Sequence, residues 1–254
     1  MSSRWQRVIS VWRRNSTVWC KTSARSLLGS FSDPVLYLLA FGYGLGRLVG
    51  EVNGMTYVAF LSSGIIATNA MNTATFEGLY LAYTRMETQR TWESILSAPL
   101  SVSDIVFGEI LWIGTKSAIS VTMILLVVSI LGLVNSWAAT LVIPIGFIGG
   151  ICFGSMALVV TSYSSSYEFF LYYMTLFITP MVLLSGVFFP LSSLPYNVQI
   201  ATAFLPLQHL VQVIRPLIFG QFHISDVAHL TVPVGFFLIS TAFAVRRFKL
   251  RLLH

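Results

Sequence analysis

The sequence predicts an all-α, multi-pass membrane protein with six transmembrane helices. Three observations predict it: composition, hydropathy and the placement of charge. Hydrophobic residues make up 56% of the 254-residue chain and charged residues 9%, where a soluble domain carries roughly 25% charged residues. Mean hydropathy is +0.79, which excludes an ordinary water-soluble enzyme. A span takes about 20 apolar residues, so about six spans consume the chain and any further domain is expected on a separate polypeptide. The basic residues cluster at the two ends and leave long apolar stretches between them, a pattern of membrane insertion and not of nucleic-acid binding.

Charge-free runs at 52–76, 117–167, 169–214 and 227–245 locate the spans. A turn-like break from Gly132 to Ser136 divides the longest of them. The spans are therefore expected near 32–50, 55–79, 105–131, 137–161, 167–188 and 227–246. The N-terminus, the loop over 80–104 and the C-terminus hold most of the Lys and Arg. The positive-inside rule then places both termini in the cytoplasm, in a bacterial cytoplasmic (inner) membrane. A secretory signal peptide is not expected, because the first apolar run begins only near Leu27.

The segment 186–226 is too apolar for a solvated loop and is cut by Pro190, Pro195, Pro206 and Pro216. It is expected to form short re-entrant or interfacial helices between the fifth and sixth spans. The alternative, a further full span, would carry the basic C-terminus outside, against the charge rule.

An N-terminal amphipathic interface helix is expected over 4–28. Trp5, Trp12 and Trp19 recur every seven residues, and Arg7, Arg14, Lys21 and Arg25 fall on the opposite face. That arrangement sets tryptophans at headgroup depth and cations toward water. Such a helix serves either as a simple anchor or as a lever linking a cytoplasmic partner to the first span. The loop from Tyr83 to Asp104 is the only sizeable hydrophilic piece between spans. A helix from Thr88 to Ser97 would group Trp92, Ile95 and Leu96 on one side, with Arg90, Glu93 and Ser94 elsewhere and Pro99 ending it. This fits docking of a helix into a partner's groove; the plainer reading is a loop lying on the bilayer.

Two glycine series, Gly42-Gly46-Gly50 and Gly146-Gly150-Gly154, have the small-xxx-small spacing of close helix packing, expected within the chain more than between subunits. Glu109 and Lys116, seven apart, share a face of the third span and are expected to pair with each other or to snorkel. Glu77, Glu109 and Glu168 all fall near cytoplasmic ends, which argues against an ion-coupled carrier. The stretch Gly114-Thr115-Lys116-Ser117 lacks the glycine that a phosphate loop needs before its lysine. His209, His223, His229 and His254 show no metal-ligand spacing, so no metal site is expected. Cys20 and Cys152 are too isolated to suggest a disulfide framework.

Three stretches carry a family resemblance: YVAFLSSGIIATNAMNTATFEGLY from Tyr57, RMETQRTWESILSAPLSVSDIVFGE from Arg85, and ITPMVLLSGVFFPLSSLP from Ile178. LPLQHLVQVIRP from Leu205 adds to them. Over nearly its whole length the chain resembles the membrane subunits of ABC-2 type (type V) exporters, and within them the NodJ-type subunits of lipo-oligosaccharide (Nod factor) exporters. The resemblance implies a homodimeric permease with no catalytic site or cofactor of its own. It also implies two copies of a separate nucleotide-binding ATPase subunit that hold ATP and Mg.

By the same resemblance the segment 86–99 is the coupling helix. Arg90 and Glu93 would orient it, Trp92, Ile95 and Leu96 would be buried in the partner, and Glu87 and Pro99 would bound it. The expected substrate is an amphiphilic lipo-oligosaccharide or lipid-linked saccharide; alternatives are drugs or small hydrophobic compounds, or a gradient-driven carrier. Tyr163, Tyr167, Phe170 and Tyr173 are candidates for the substrate path, and Phe188, Phe189 and Arg215 for an outer gate. Belt aromatics at the interface are the plainer reading of the tyrosines.

Overall fold

The computed structural model describes residues 4–21, 34–52 and 54–252. Helix α1 spans Arg4–Cys20 and α2 spans Pro34–Val49, wound wide between Leu38 and Leu45. A two-residue antiparallel pair, Glu51–Val52 with Met55–Thr56, turns the chain into α3, Tyr57–Phe76. Beyond Phe76 the helix continues with wide turns through Glu77–Leu81 and Thr84–Thr88. Helix α4, Thr91–Leu96, follows a left-handed residue, Arg90 at φ 48°. The longest helix, α5 (Val102–Ile130), starts at a capping box in which Ser101 and Asp104 satisfy each other's backbone amides. Helices α6 (Trp137–Tyr163) and α7 (Glu168–Leu184) come next. Two short helices, α8 (Tyr196–Thr202) and α9 (Pro206–Phe219), precede α10 (Thr231–Leu252).

Among the described residues three segments are long and apolar enough to cross a membrane: Val102–Ile130, Trp137–Tyr163 and Ile224–Leu252. Pro34–Val49 and Glu168–Leu184 are apolar but shorter. Helix α3 is more polar, with Ser62, Ser63, Asn69 and Thr75 buried along it, because other helices and not lipid surround it. It packs on α5, α6 and α9.

The seam between α5 and α6 rests on small residues. A Cβ on Gly146, Gly150 or Gly154 would come within 2.8, 2.6 or 2.5 Å of Val121, Ser117 or Ile113 respectively. This glycine series is therefore spent inside the subunit, where backbones that approach so closely gain dispersion contacts. Ser117 Oγ lies 3.1 Å from the Ala70 carbonyl and 3.0 Å from the Gly146 carbonyl, tying α5 to α3 and α6. The other series packs more loosely: a Cβ on Gly42 would lie 3.3 Å from Val58 and one on Gly46 3.7 Å from it, where α2 meets α3, while Gly50 ends the helix at φ 72° with open space around it.

Helix α1 is not a free interfacial rod. Val8, Val11 and Asn15 are buried against α5, and a Cβ on Gly108 would strike Val11 at 2.5 Å. The expected separation of faces is corrected accordingly. Trp5 remains exposed, at 75%, but Trp12 donates to Thr115 Oγ1 at 3.0 Å and Trp19 meets the edge of Trp112 at 5.8 Å. Arg7 pairs with Asp104 at 2.9 Å and Arg14 donates to Thr91 at 3.3 Å. Two of the three tryptophans and two of the cations thus point at the bundle, because α5 offers them acceptors and ring edges. The expected stretch over 22–28, with Arg25, lies outside the described residues.

Candidate functional site: a buried ionic knot beneath residues 84–99

Four charges from three parts of the chain meet under the 84–99 segment. Glu77, at the end of α3, accepts from Arg85 at 2.9 Å, from Trp112 Nε1 at 3.0 Å and from Lys116 Nζ at 2.5 Å. Glu109, on α5, accepts from Arg85 Nε at 3.1 Å, from Arg85 Nη2 at 2.6 Å and from Trp92 Nε1 at 3.3 Å. Both carboxylates are buried, with 1% of each side chain exposed. Two anions and two cations cancel, which is what buried ions in an apolar bundle require. Burial opposes the charge on Arg85, yet Glu109 and Glu77 more than offset it and hold the guanidinium above its ordinary pKa. Glu109 and Lys116 do not pair with each other as the sequence suggested. Lys116 reaches Glu77 at the end of α3 instead.

The same knot decides which way α4 faces. Trp92, expected to be buried in a partner, is fully buried in this chain, bonded to Glu109 and edge-on to Phe248 of α10 at 4.9 Å. That expectation is therefore corrected. A six-residue helix has one apolar side, and here it covers its own bundle. Ile95 and Leu96 are half-buried behind it. The outward surface includes Gln89, Arg90, Glu93, Ser94, Ser97 and Pro99. Arg90 and Glu93 face each other across 3.8 Å with 75% and 58% of their side chains exposed. Glu87 is held from the far side by Arg251 at 2.6 Å, and Arg251 also caps the Thr161 and Ser162 carbonyls. The end of α10 is thereby fastened to the 84–99 segment and to α6.

The aromatic candidates divide among several settings. Tyr163 is exposed under the Arg247 guanidinium, 4.5 Å from its ring. Tyr167 Oη lies 2.9 Å from Thr84 Oγ1, and its ring meets Tyr83 at 4.9 Å. Phe170 is fully buried between Tyr80 and Tyr83. These two residues brace the 80–88 stretch, Phe170 from within the bundle and Tyr167 from its surface, where it remains 43% exposed. Tyr173 stacks on Phe177 at 5.6 Å.

At the other end of the bundle, Arg215 of α9 donates to Ser63 Oγ and to the Gly186 carbonyl, both at 2.9 Å, and lies over the Phe60 ring at 3.8 Å. Phe188 packs edge-on to Phe41, and its carbonyl accepts from Tyr57 Oη; Phe189 is half-buried beside it.

A cleft of about 400 Å³ opens between α2, α3 and α7. Thr68, Asn69, Asn72 and Thr179 line it together with Tyr37 and Ile65, and Phe188 is the one member of the expected path on its wall. Thr68 Oγ1 is buried there without a hydrogen-bond partner. Sequence reasoning passed over these residues. The available signal was the density of hydroxyls and amides, Thr68-Asn69 and Asn72-Thr73, in a charge-free run. Among the described residues no cluster of His, Cys, Asp or Glu could hold a metal ion.

Comparison with known proteins agrees with this architecture. Residues 6–219 match the ABC-2 type transporter family model. The chain is 45% identical to Nodulation protein J of Rhizobium leguminosarum bv. viciae over 246 residues, 94% of each chain. It is 43% identical to Nodulation protein J of Rhizobium meliloti over 248 residues, 94% of this chain and 93% of the relative. A more distant relative is the inner membrane transport permease YadH of Escherichia coli, 24% identical over 233 residues, 89% of this chain and 87% of that one. A chain matched from residue 6 to residue 219 by one family model, and 45% identical over 94% of its length to one relative, belongs to that family: it is a membrane transport subunit of the ABC-2 type.

Proposed function

We propose that this chain is the permease of an ATP-driven exporter that moves an amphiphilic lipo-oligosaccharide or lipid-linked saccharide out across the bacterial inner membrane. Two copies form the membrane unit, each crossing six times with both termini cytoplasmic. Each engages a separate ATPase subunit, which holds ATP and Mg, through the exposed surface of 86–99. The observation that carries this reading is the knot around Arg85. It joins the docking segment through Trp92 and Arg85 to α3 and α5, so displacement of the exposed Arg90–Glu93 tip is passed to two bundle helices without slack.

The cleft between α2, α3 and α7 supports the substrate class. Hydroxyls and amides suit a sugar head, and the apolar wall of Ile65 and Ile178 suits an acyl tail. Nodulation protein J relatives support the same class by similarity. The test is ATP hydrolysis in proteoliposomes holding this chain with its ATPase subunit. Glu93→Arg is expected to abolish substrate-stimulated hydrolysis while the complex still folds. Full stimulation in that variant would reject the docking assignment.

A further inference from the structure

Between α1, α5, α6 and α10 lies a cavity of about 370 Å³, on elements different from those of the substrate cleft. Phe107 and Leu111 of α5, Ile151 of α6 and Phe237 of α10 wall it, and α1 contributes Arg4 and Trp5. The cavity has a direction. Arg4 sits over the Phe107 ring at 5.2 Å. Ile151 instead packs 2.6 Å from where a Cβ of Gly114 would be, seven residues further along α5, or about 10 Å by helical rise. One end is therefore cationic and the rest apolar.

Among the described residues no carboxylate pairs with Arg4, and α1 contains no acidic residue. Trp5 beside it is 75% exposed, as tryptophans at headgroup depth are. The cavity is open on one side and its walls are apolar, so in a bilayer lipid and not water fills it, and the species that satisfies both ends is a chain with an anion at its head. We propose that the cavity is a binding site for one anionic phospholipid, its phosphate on Arg4 and one acyl chain along α5, which staples α1 to the bundle.

The site can be read without ATPase or transport, so its failure is separate from failure of the exporter assignment. The chain is reconstituted in vesicles of equal parts phosphatidylcholine and phosphatidylglycerol, and retained lipid is counted by native mass spectrometry. Wild type is expected to retain phosphatidylglycerol in preference to phosphatidylcholine. Arg4→Ala should reduce that preference about tenfold, the worth of one charge-assisted contact. Leu111→Trp, which fills the cavity from a half-buried position, should release bound lipid with helical content unchanged. Retention in bulk proportion by wild type, or undiminished preference in Arg4→Ala, overturns the proposal. Displacement of phosphatidylglycerol by an added lipo-oligosaccharide also overturns it, since the cavity would then belong to the transport path.

Discussion

Arg85 and Arg215 are both taken into the bundle, at opposite ends, and they are neutralised in different ways. Arg85 grips two carboxylates on separate helices, Glu77 and Glu109, in a group that also holds Lys116 and two indole N–H donors. Arg215 has a hydroxyl, a backbone carbonyl and the face of Phe60. Charge-assisted bonds between full charges are stronger than those to neutral acceptors, and a cation over an aromatic ring adds about 0.5–2 kcal/mol depending on desolvation. The contrast assigns the two ends different mechanical properties. The Arg85 end is a charge-balanced knot in which no member can be removed alone, whereas the Arg215 end is held by dipoles and can be rearranged without stranding a counter-ion.

The contrast is broken most directly by Glu109→Ala. Removing one partner of a buried ionic group costs about 3–5 kcal/mol, read as a large fall in the thermal midpoint of the purified chain. An unchanged midpoint would show that the knot is not a structural unit. Trp92→Ala is expected to be nearly as costly, since truncating a buried tryptophan costs about 3–5 kcal/mol. It tests the burial of that ring against a partner-facing position, where the isolated subunit would be indifferent to the change. Trp92→Phe keeps the contact with Phe248 and loses only the bond to Glu109, so it should cost about 1–2 kcal/mol.

Arg215→Met comes next. It leaves neutral groups unpaired and no buried charge, for about 1–3 kcal/mol. A loss as large as that of Glu109→Ala would erase the distinction between the two ends. Arg215→Lys should behave like Arg215→Met, because an ammonium cannot reproduce the fork and the stacking together. The smallest effect on stability is expected from Arg90→Ala. Its exposed pair with Glu93 contributes little, so the thermal midpoint should not move, although substrate-stimulated ATP hydrolysis should fall. Unaltered hydrolysis would place the docking contact elsewhere on 86–99.

Much of the architecture was legible because hydropathy and charge are written along the chain. The third, fourth and sixth expected spans fall on α5, α6 and α10, whose apolar lengths need only counting. The wide-wound continuation of α3 through Glu77–Thr88 was not legible. Its departure from regular winding accompanies the polar partners that Glu77 and Arg85 find on α5, and spacing within one segment does not reveal them. The site was readable in part. The exposed Arg90 and Glu93 match a polar tip, but the orientation of Trp92 was inverted. Tryptophan suits a partner's groove and a core equally well, and the acceptor that decides between them, Glu109, lies seventeen residues away on another helix.

Composition alone determined that the chain lies in a membrane, since 56% hydrophobic and 9% charged residues leave too little polar surface to cover a soluble fold. The spacing of the glycines determined that two helices would pack closely. Only the tertiary structure decided the pairing of the ions, the inward turn of Trp92 and Trp12, and the two cavities. Each of these depends on which neighbour satisfies a polar or charged group that would otherwise be buried alone. That choice is made across helices distant in sequence, where no period along the chain records it.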